Sequence, residues 1–165
     1  MRKPLRSSVA LALVSLGSAS IAMAGSCSVG STGMAFGRYQ PLTFAGKLAS
    51  SDRTADATVT LSCIAITTGG SYTITLGPSA QGNSIVPRYL THDAGGPAMS
   101  FNIYTDTTYT SVWGDGFVGA VIGGSIPVGD SSRSHTVFGR VAAGQSQLRV
   151  GNYASSLTVR ITYNP

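Results

Sequence analysis

The chain has 165 residues, of which 42% are hydrophobic and only 10% charged, with 21 glycines and no glutamate. That composition excludes a helix-rich fold, because the strong surface helix formers are nearly absent and Gly, Ser and Thr interrupt every window. The formal charge of +5 comes partly from Arg2, Lys3 and Arg6, and the remaining arginines are scattered, which leaves no nucleic-acid footprint.

Residues 1–24 read as a secretory signal peptide: basic Arg2, Lys3 and Arg6, an apolar run from Val9 to Leu16, then small residues up to the export site Ala22-Met23-Ala24. The run is too short and too interrupted to fill the ~20 residues of a membrane span. Residues 25–165 have one domain's length, with no repeat or linker, and their net charge is about +2 once the leader is removed. Export implies an oxidising compartment, so the two cysteines, Cys27 and Cys63, are expected to form one disulfide. A metal or redox site would need further ligands or a tight Cys-x-x-Cys, and neither is present.

In chain order, Val59, Leu61 and Cys63 alternate with Thr58, Thr60 and Ser62, the period of a half-buried strand. Gly69-Gly70 reads as a turn, after which Tyr72, Ile74 and Leu76 alternate with Thr73 and Thr75. Past the breaker Gly95-Gly96-Pro97, Met99, Phe101 and Ile103 repeat the pattern. Weaker strands are expected over residues 85–90, 117–122 and 136–141. The clearest is the last, where Leu157, Val159, Ile161 and Tyr163 face one way and Thr158, Arg160 and Thr162 the other.

Short strands parted by Gly, Pro, Ser and Asn turns predict an all-β antiparallel sandwich of immunoglobulin type. Ending on an apolar strand, the sequence is expected to offer that strand's edge for β-augmentation.

Catalysis has little to build on. His92 and His135 are far apart in sequence, the six aspartates are dispersed, and no nucleophile elbow, His-x-x-x-His or phosphate loop occurs. His92-Asp93 could contact a metal, but two ligands in a Gly-rich turn are a weak signal, and the solvated loop is the preferred reading. The segment from Tyr104 to Phe117 holds Tyr109 and Trp113, which could form an adhesive surface that stacks on sugars; the preferred reading places Trp113 and Phe117 in the core and leaves Tyr109 exposed. Arg38 and Tyr39 are either a binding spot or a strand edge, and the structural role is preferred.

Several motifs, in order and spacing, resemble the spore coat protein U domain family, which includes subunits of archaic chaperone-usher fimbriae. They are Cys27, Phe36-Gly37-Arg38-Tyr39 with Pro41, Val59 to Cys63, Tyr72 to Gly77, Arg88-Tyr89-Leu90, Phe101 to Asp106, Trp113-Gly114-Asp115-Gly116, Phe138 to Val141, Gly144-Gln145 and Gly151-Asn152-Tyr153. The resemblance implies an incomplete immunoglobulin-like sandwich lacking its final strand, completed first by a periplasmic chaperone and then by a neighbouring subunit, with export through an outer-membrane usher to the cell surface. Gly151 and Tyr163 resemble the glycine and near-terminal aromatic that frame the chaperone-paired strand, so the implied interface is Leu157, Val159, Ile161 and Tyr163.

The sequence departs from the family in two places. Gly25-Ser26 is all that precedes Cys27 after the expected cut, so the chain is expected to accept a strand but not to donate one, which suits a fibre tip. Ser155 stands where the family often has Asp. The reading is therefore a non-enzymatic, cofactor-free fimbrial subunit with a role in adhesion to a host or abiotic surface, or in biofilm formation. The alternatives are a secreted coat protein and a self-sufficient carbohydrate-binding module.

Overall fold

The computed structural model describes residues 25–42 and 50–165, so the expected signal peptide lies outside the described residues. Nine strands and no helix are formed within them: β1 (Ser26–Ser31), β2 (Arg53–Ile66), β3 (Gly70–Leu76), β4 (Arg88–His92), β5 (Met99–Tyr104), β6 (Ile122–Ile126), β7 (Gly129–Val141), β8 (Tyr153–Ala154) and β9 (Val159–Asn164). Every ladder between them is antiparallel. Six strands make one sheet in the order β1-β2-β7-β5-β4-β8, and three make the other in the order β6-β3-β9.

The period-two patterns decide which faces meet. Val59, Leu61 and Cys63 of β2 and Val137 and Val141 of β7 are buried against Tyr72, Ile74 and Leu76 of β3, while Thr58, Thr60 and Ser62 turn outward. The expected disulfide is present. Cys27 and Cys63 lie directly opposite each other in the β1–β2 ladder, with Cα atoms 4.1 Å apart. Closing a loop of sequence separation 36 stabilises by roughly 4 kcal/mol in the chain-entropy picture. Beyond Cys63 the β2–β7 register shifts, leaving Ala65 in the left-handed region at φ 53°. Its N–H is taken up by the Asp130 carboxylate at 2.8 Å, which keeps that bulged donor paired.

Three expected strands sit differently in the fold. The stretch expected from residue 85 starts only at Arg88, because Pro87 has no N–H to give the ladder. The stretch expected over 117–122 is a loop, and β6 begins where that stretch ends. Gly123-Gly124-Ser125 lacks the alternation that would have marked the strand. The strand expected at 136–141 is the second half of β7, whose first half is polar.

The two sheets are tied through one buried cation. Arg88 of β4 is 0% exposed, and its guanidinium donates to the carbonyls of Gly77 (2.9 Å), Leu76 (2.9 Å) and Trp113 (2.9 Å) and to Asn102 Oδ1 (2.7 Å). Leu76 ends β3 in the small sheet and Gly77 follows it, whereas Asn102 belongs to β5 in the large one. Trp113 extends the tie: its indole Nε1 donates to Ile74 O (3.0 Å) and its N–H to Ile103 O (2.8 Å). Burial pushes the Arg88 guanidinium down to about 10, with Asp115 opposing the shift, so the charge persists at neutral pH. Replacing Arg88 by Met should take the guanidinium from three backbone carbonyls, with Asn102 Oδ1 keeping the Ile103 N–H at 3.0 Å, and cost about 3–5 kcal/mol. Arg88→Lys should restore only part of this, since a single ammonium cannot span a planar fork. The midpoint of chemical denaturation measures both.

Candidate functional site

On one side the sandwich does not close. β1 and β9 approach each other there with no ladder between them, and beside them lies an open groove of about 1000 Å³. Its floor is apolar: Val59 and Val137 of the large sheet, Phe101 and Ile103 of β5, Leu76 of β3 and the ring of Trp113. One wall is Leu157 and Val159. The other is the segment that follows β1, from Gly33 to Pro41.

Both walls follow from local sequence. Exposure alternates strictly from Tyr153 to Tyr163, so every second side chain points inward although β8 pairs with the large sheet and β9 with the small one. In the β3–β9 ladder Val159, Ile161 and Tyr163 stand opposite Leu76, Ile74 and Tyr72. The β3 residues are fully buried while those of β9 are only half-buried. The second wall was not legible as an element. Met34, Phe36 and Tyr39 point inward without forming a strand; the alternation of Met34 and Phe36 after Gly33 is the signal that could have found it.

The structure brings Leu157 and Val159 to the groove lip. Ile161 and Tyr163 lie further along β9, packed on the core, and the Tyr163 hydroxyl donates to Thr68 O. Gly151 is not beside β9. It packs flat against His92, where a Cβ would meet the ring Nε2 at 2.1 Å. His92 is buried rather than solvated, with Nδ1 accepting from Ala94 N–H (2.9 Å) and Nε2 facing Val150 O (3.1 Å). No group of three or more His, Cys, Asp or Glu side chains able to hold a metal ion occurs among the described residues.

The two residues of the possible adhesive surface separate. Trp113, at 2% exposure and with its N–H used, is a core residue and presents no face for stacking. Phe117, expected inside, is 99% exposed. It rides a turn in which Asp115 Oδ1 accepts from the N–H groups of Phe117 (2.9 Å) and Val118 (2.8 Å). Those bonds hold the Asp115 carboxyl below its ordinary value, the Val118 N–H contributing most. Tyr109 is half-buried at φ 57°, stacked edge-on with Tyr104 and lying under the Arg140 guanidinium. Asp106 braces this loop, accepting from the Thr108 and Thr110 hydroxyls and from the N–H groups of Thr108, Thr110 and Ser111, which holds its carboxyl well below the usual range. Tyr39 is structural: its hydroxyl donates to Ala142 O (2.8 Å) and accepts from Gln145 N–H (3.1 Å).

The Spore Coat Protein U domain matches residues 13–160. This chain belongs to that family. No curated protein matches it. Among solved structures, the domain is similar to a chain of the CsuC–CsuE chaperone–tip adhesion subunit pre-assembly complex from the archaic chaperone-usher Csu pili of Acinetobacter baumannii. The identity is 15% and the TM-score 0.50, over 83% of this chain and 39% of that one. A chain from a chaperone–tip adhesin complex of CFA/I fimbriae is similar at 11% identity and a TM-score of 0.43, over 78% of this chain and 39% of that one. The Spore Coat Protein U domain chain thus spans about two-fifths of the length of the solved chains it matches. The first likeness shows the shared sandwich fold.

Away from the groove, His135 of β7 reaches across the sandwich to the Tyr72 hydroxyl, 2.7 Å from Nε2. Burial lowers the ring's pKa from the ordinary histidine value. The unfolded chain therefore binds a proton at a pH where the folded domain does not, and stability should fall as pH drops below about 6.5. His135→Gln should flatten that acid limb in a series of denaturation curves taken between neutral and mildly acidic pH.

Proposed function

We propose that this chain is a structural subunit of a bacterial surface fimbria, assembled by strand donation with a periplasmic chaperone and an outer-membrane usher. The observation that carries the reading is the apolar groove that opens beside the start of β9, at Leu157 and Val159, where the strand's edge has no ladder partner. A strand laid there would pair with the β9 backbone and place alternate side chains on Val59, Leu76, Phe101 and Val137, the physical basis of β-augmentation. The family supports it, as does the sandwich shared with a chain of a chaperone–tip subunit complex, and together they favour export to the cell surface and a non-catalytic role. A self-sufficient sugar-binding module loses its support with Trp113 buried.

Placement at a fibre tip, with a role in adhesion, rests on the front of the domain. Ser26 already pairs with Ile64 in the β1–β2 ladder, so residues from Ser26 onward are committed to this fold and are not free to be donated. N-terminal sequencing of the exported chain tests this placement, and an apolar alternating segment ahead of Gly25 would overturn it.

The groove itself is tested by charge. Val159→Asp puts a carboxylate in the lip where a donated strand would lie, a burial that costs roughly 2–4 kcal/mol. Recovery of a one-to-one complex with the co-expressed chaperone should drop at least tenfold, while Thr158→Asp on the exposed face leaves it unchanged. Equal recovery of both variants would rule out the groove as the acceptor.

A further inference from the structure

The groove is apolar along its floor but charged at one end. Among the described residues, Arg38 and Arg149 are the only charged side chains that line it, and both are exposed. Each is delivered there by a fixed neighbour. The Tyr39 hydroxyl is tied to Ala142 O and Gln145 N–H, which holds Arg38 beside that turn. The chain runs on from the turn, through the bond from Leu148 N–H to Gln145 O (3.3 Å), to Arg149. Residue 149 is then fixed by the Tyr153 hydroxyl, which accepts from its N–H (3.0 Å) and donates to its carbonyl (3.1 Å). Its stem lies on Gly96, where a Cβ would meet Arg149 Cδ at 3.3 Å and Nε at 3.4 Å.

Neither guanidinium has an ion-pair or hydrogen-bond partner among the described residues. The chain has no carboxylate side chain placed to supply one, since its 6 acidic residues are all aspartates committed elsewhere. Asp52 is paired with Arg140, and Asp93 with His92 and Asn152. Asp130 is taken up by Ala65 N–H, while Asp106 and Asp115 brace their own turns. Asp56 is exposed on the outward face of β2, opposite Phe138.

We infer that Arg38 and Arg149 select the incoming strand by charge: the segment that fills the groove carries alternate apolar residues along its length and aspartate or glutamate at the end that reaches these two arginines. This rests on the strand-acceptor reading of the groove. Backbone pairing with β9 and burial of apolar side chains ask only for an extended strand with the right alternation, which many segments offer. Two cations without a counter-charge add a condition that alternation cannot. A strand ending in carboxylates neutralises them, whereas one ending in lysine sets like charges together. Because both arginines sit at the exposed rim, they act chiefly on the rate of association, and salt screens them.

Peptide titrations on the full-length exported protein test this, read by the fluorescence of Trp113, the chain's single tryptophan and part of the groove floor. The probes alternate valine and threonine, are capped at both termini so that only side chains carry charge, and bear paired aspartates, asparagines or lysines at one end or the other. At one of the two ends, aspartates should bind about tenfold more tightly than lysines in low salt, and the difference should collapse in high salt. The same changes at the opposite end should leave the affinity unchanged. Equal binding of all the peptides, a preference for lysine, or a preference for aspartate at both ends alike would overturn selection by these arginines and leave the acceptor groove standing. Binding of none would overturn the groove reading, and the selection with it. The double variant Arg38→Glu with Arg149→Glu supplies a second readout. It should invert the order of the peptides, and a retained preference for aspartate would overturn the assignment to these two residues.

Discussion

A guanidinium hydrogen-bonded to no carboxylate holds the two sheets of this domain together. Arg88 is wholly buried, and three of its four acceptors are backbone carbonyls. Carbonyls do not titrate, and they are fixed by the strands that carry them. The cation therefore sets the relative position of the ends of β3, of β5 and of the Trp113 loop in a way that an ion pair between flexible side chains would not. Burial is tolerated because the fork geometry satisfies the donors. Asn102 completes the arrangement, accepting from Arg88 while its amide donates to Ile85 O at 3.0 Å.

That tie closes one side of the sandwich and makes the openness of the other side meaningful. With β3 anchored through Leu76 and Ile74, its inward side chains are sealed, whereas those of β9 in the same sheet stay half-exposed. The difference is positional, since both strands carry apolar residues at alternate positions and face the same interior. β9 has a neighbour on one side only. Covering its inward side chains would add on the order of 1 kcal/mol for each, a gain available only to a strand that also satisfies the β9 backbone.

Much of this was legible from residue order. Strands with clear alternation, β3, β5, β9 and the second half of β2 from Val59 to Cys63, could be read directly, because their inward positions are all Val, Leu, Ile, Phe, Met, Cys or Tyr. β6 was hidden by Gly123-Gly124-Ser125, and β1 by Ser and Gly around a single cysteine. Trp113 and Phe117 could not be told apart, being four residues apart in one aromatic stretch. Their fates depend on distant partners: Ile74 O captures the indole, whereas the Asp115 turn throws Phe117 outward. The groove's far wall was invisible for a related reason. Met34, Phe36 and Tyr39 are held by Gly139, Phe101 and Ala142, more than sixty residues downstream.

Unpaired strand edges invite association, and the two sheets present four of them. β8 is two residues long, too short to template a partner, and β1 carries Ser and Gly at alternate positions. The middle of β6 is exposed and bears little apolar side chain. β9 differs from all three: six residues long, apolar on its inward face and bordered by an open channel. Its outward face is nevertheless guarded, with Arg160 between Thr158 and Thr162 all exposed. Two copies meeting edge to edge at β9 would gain backbone hydrogen bonds, but the pairing would bring their two Arg160 charges close and leave both channels empty. An incoming strand that carries its own alternate apolar residues fills the channel as it pairs. The charge pattern and the groove thus act in the same direction, selecting a strand with inserted side chains over a second copy of the same edge.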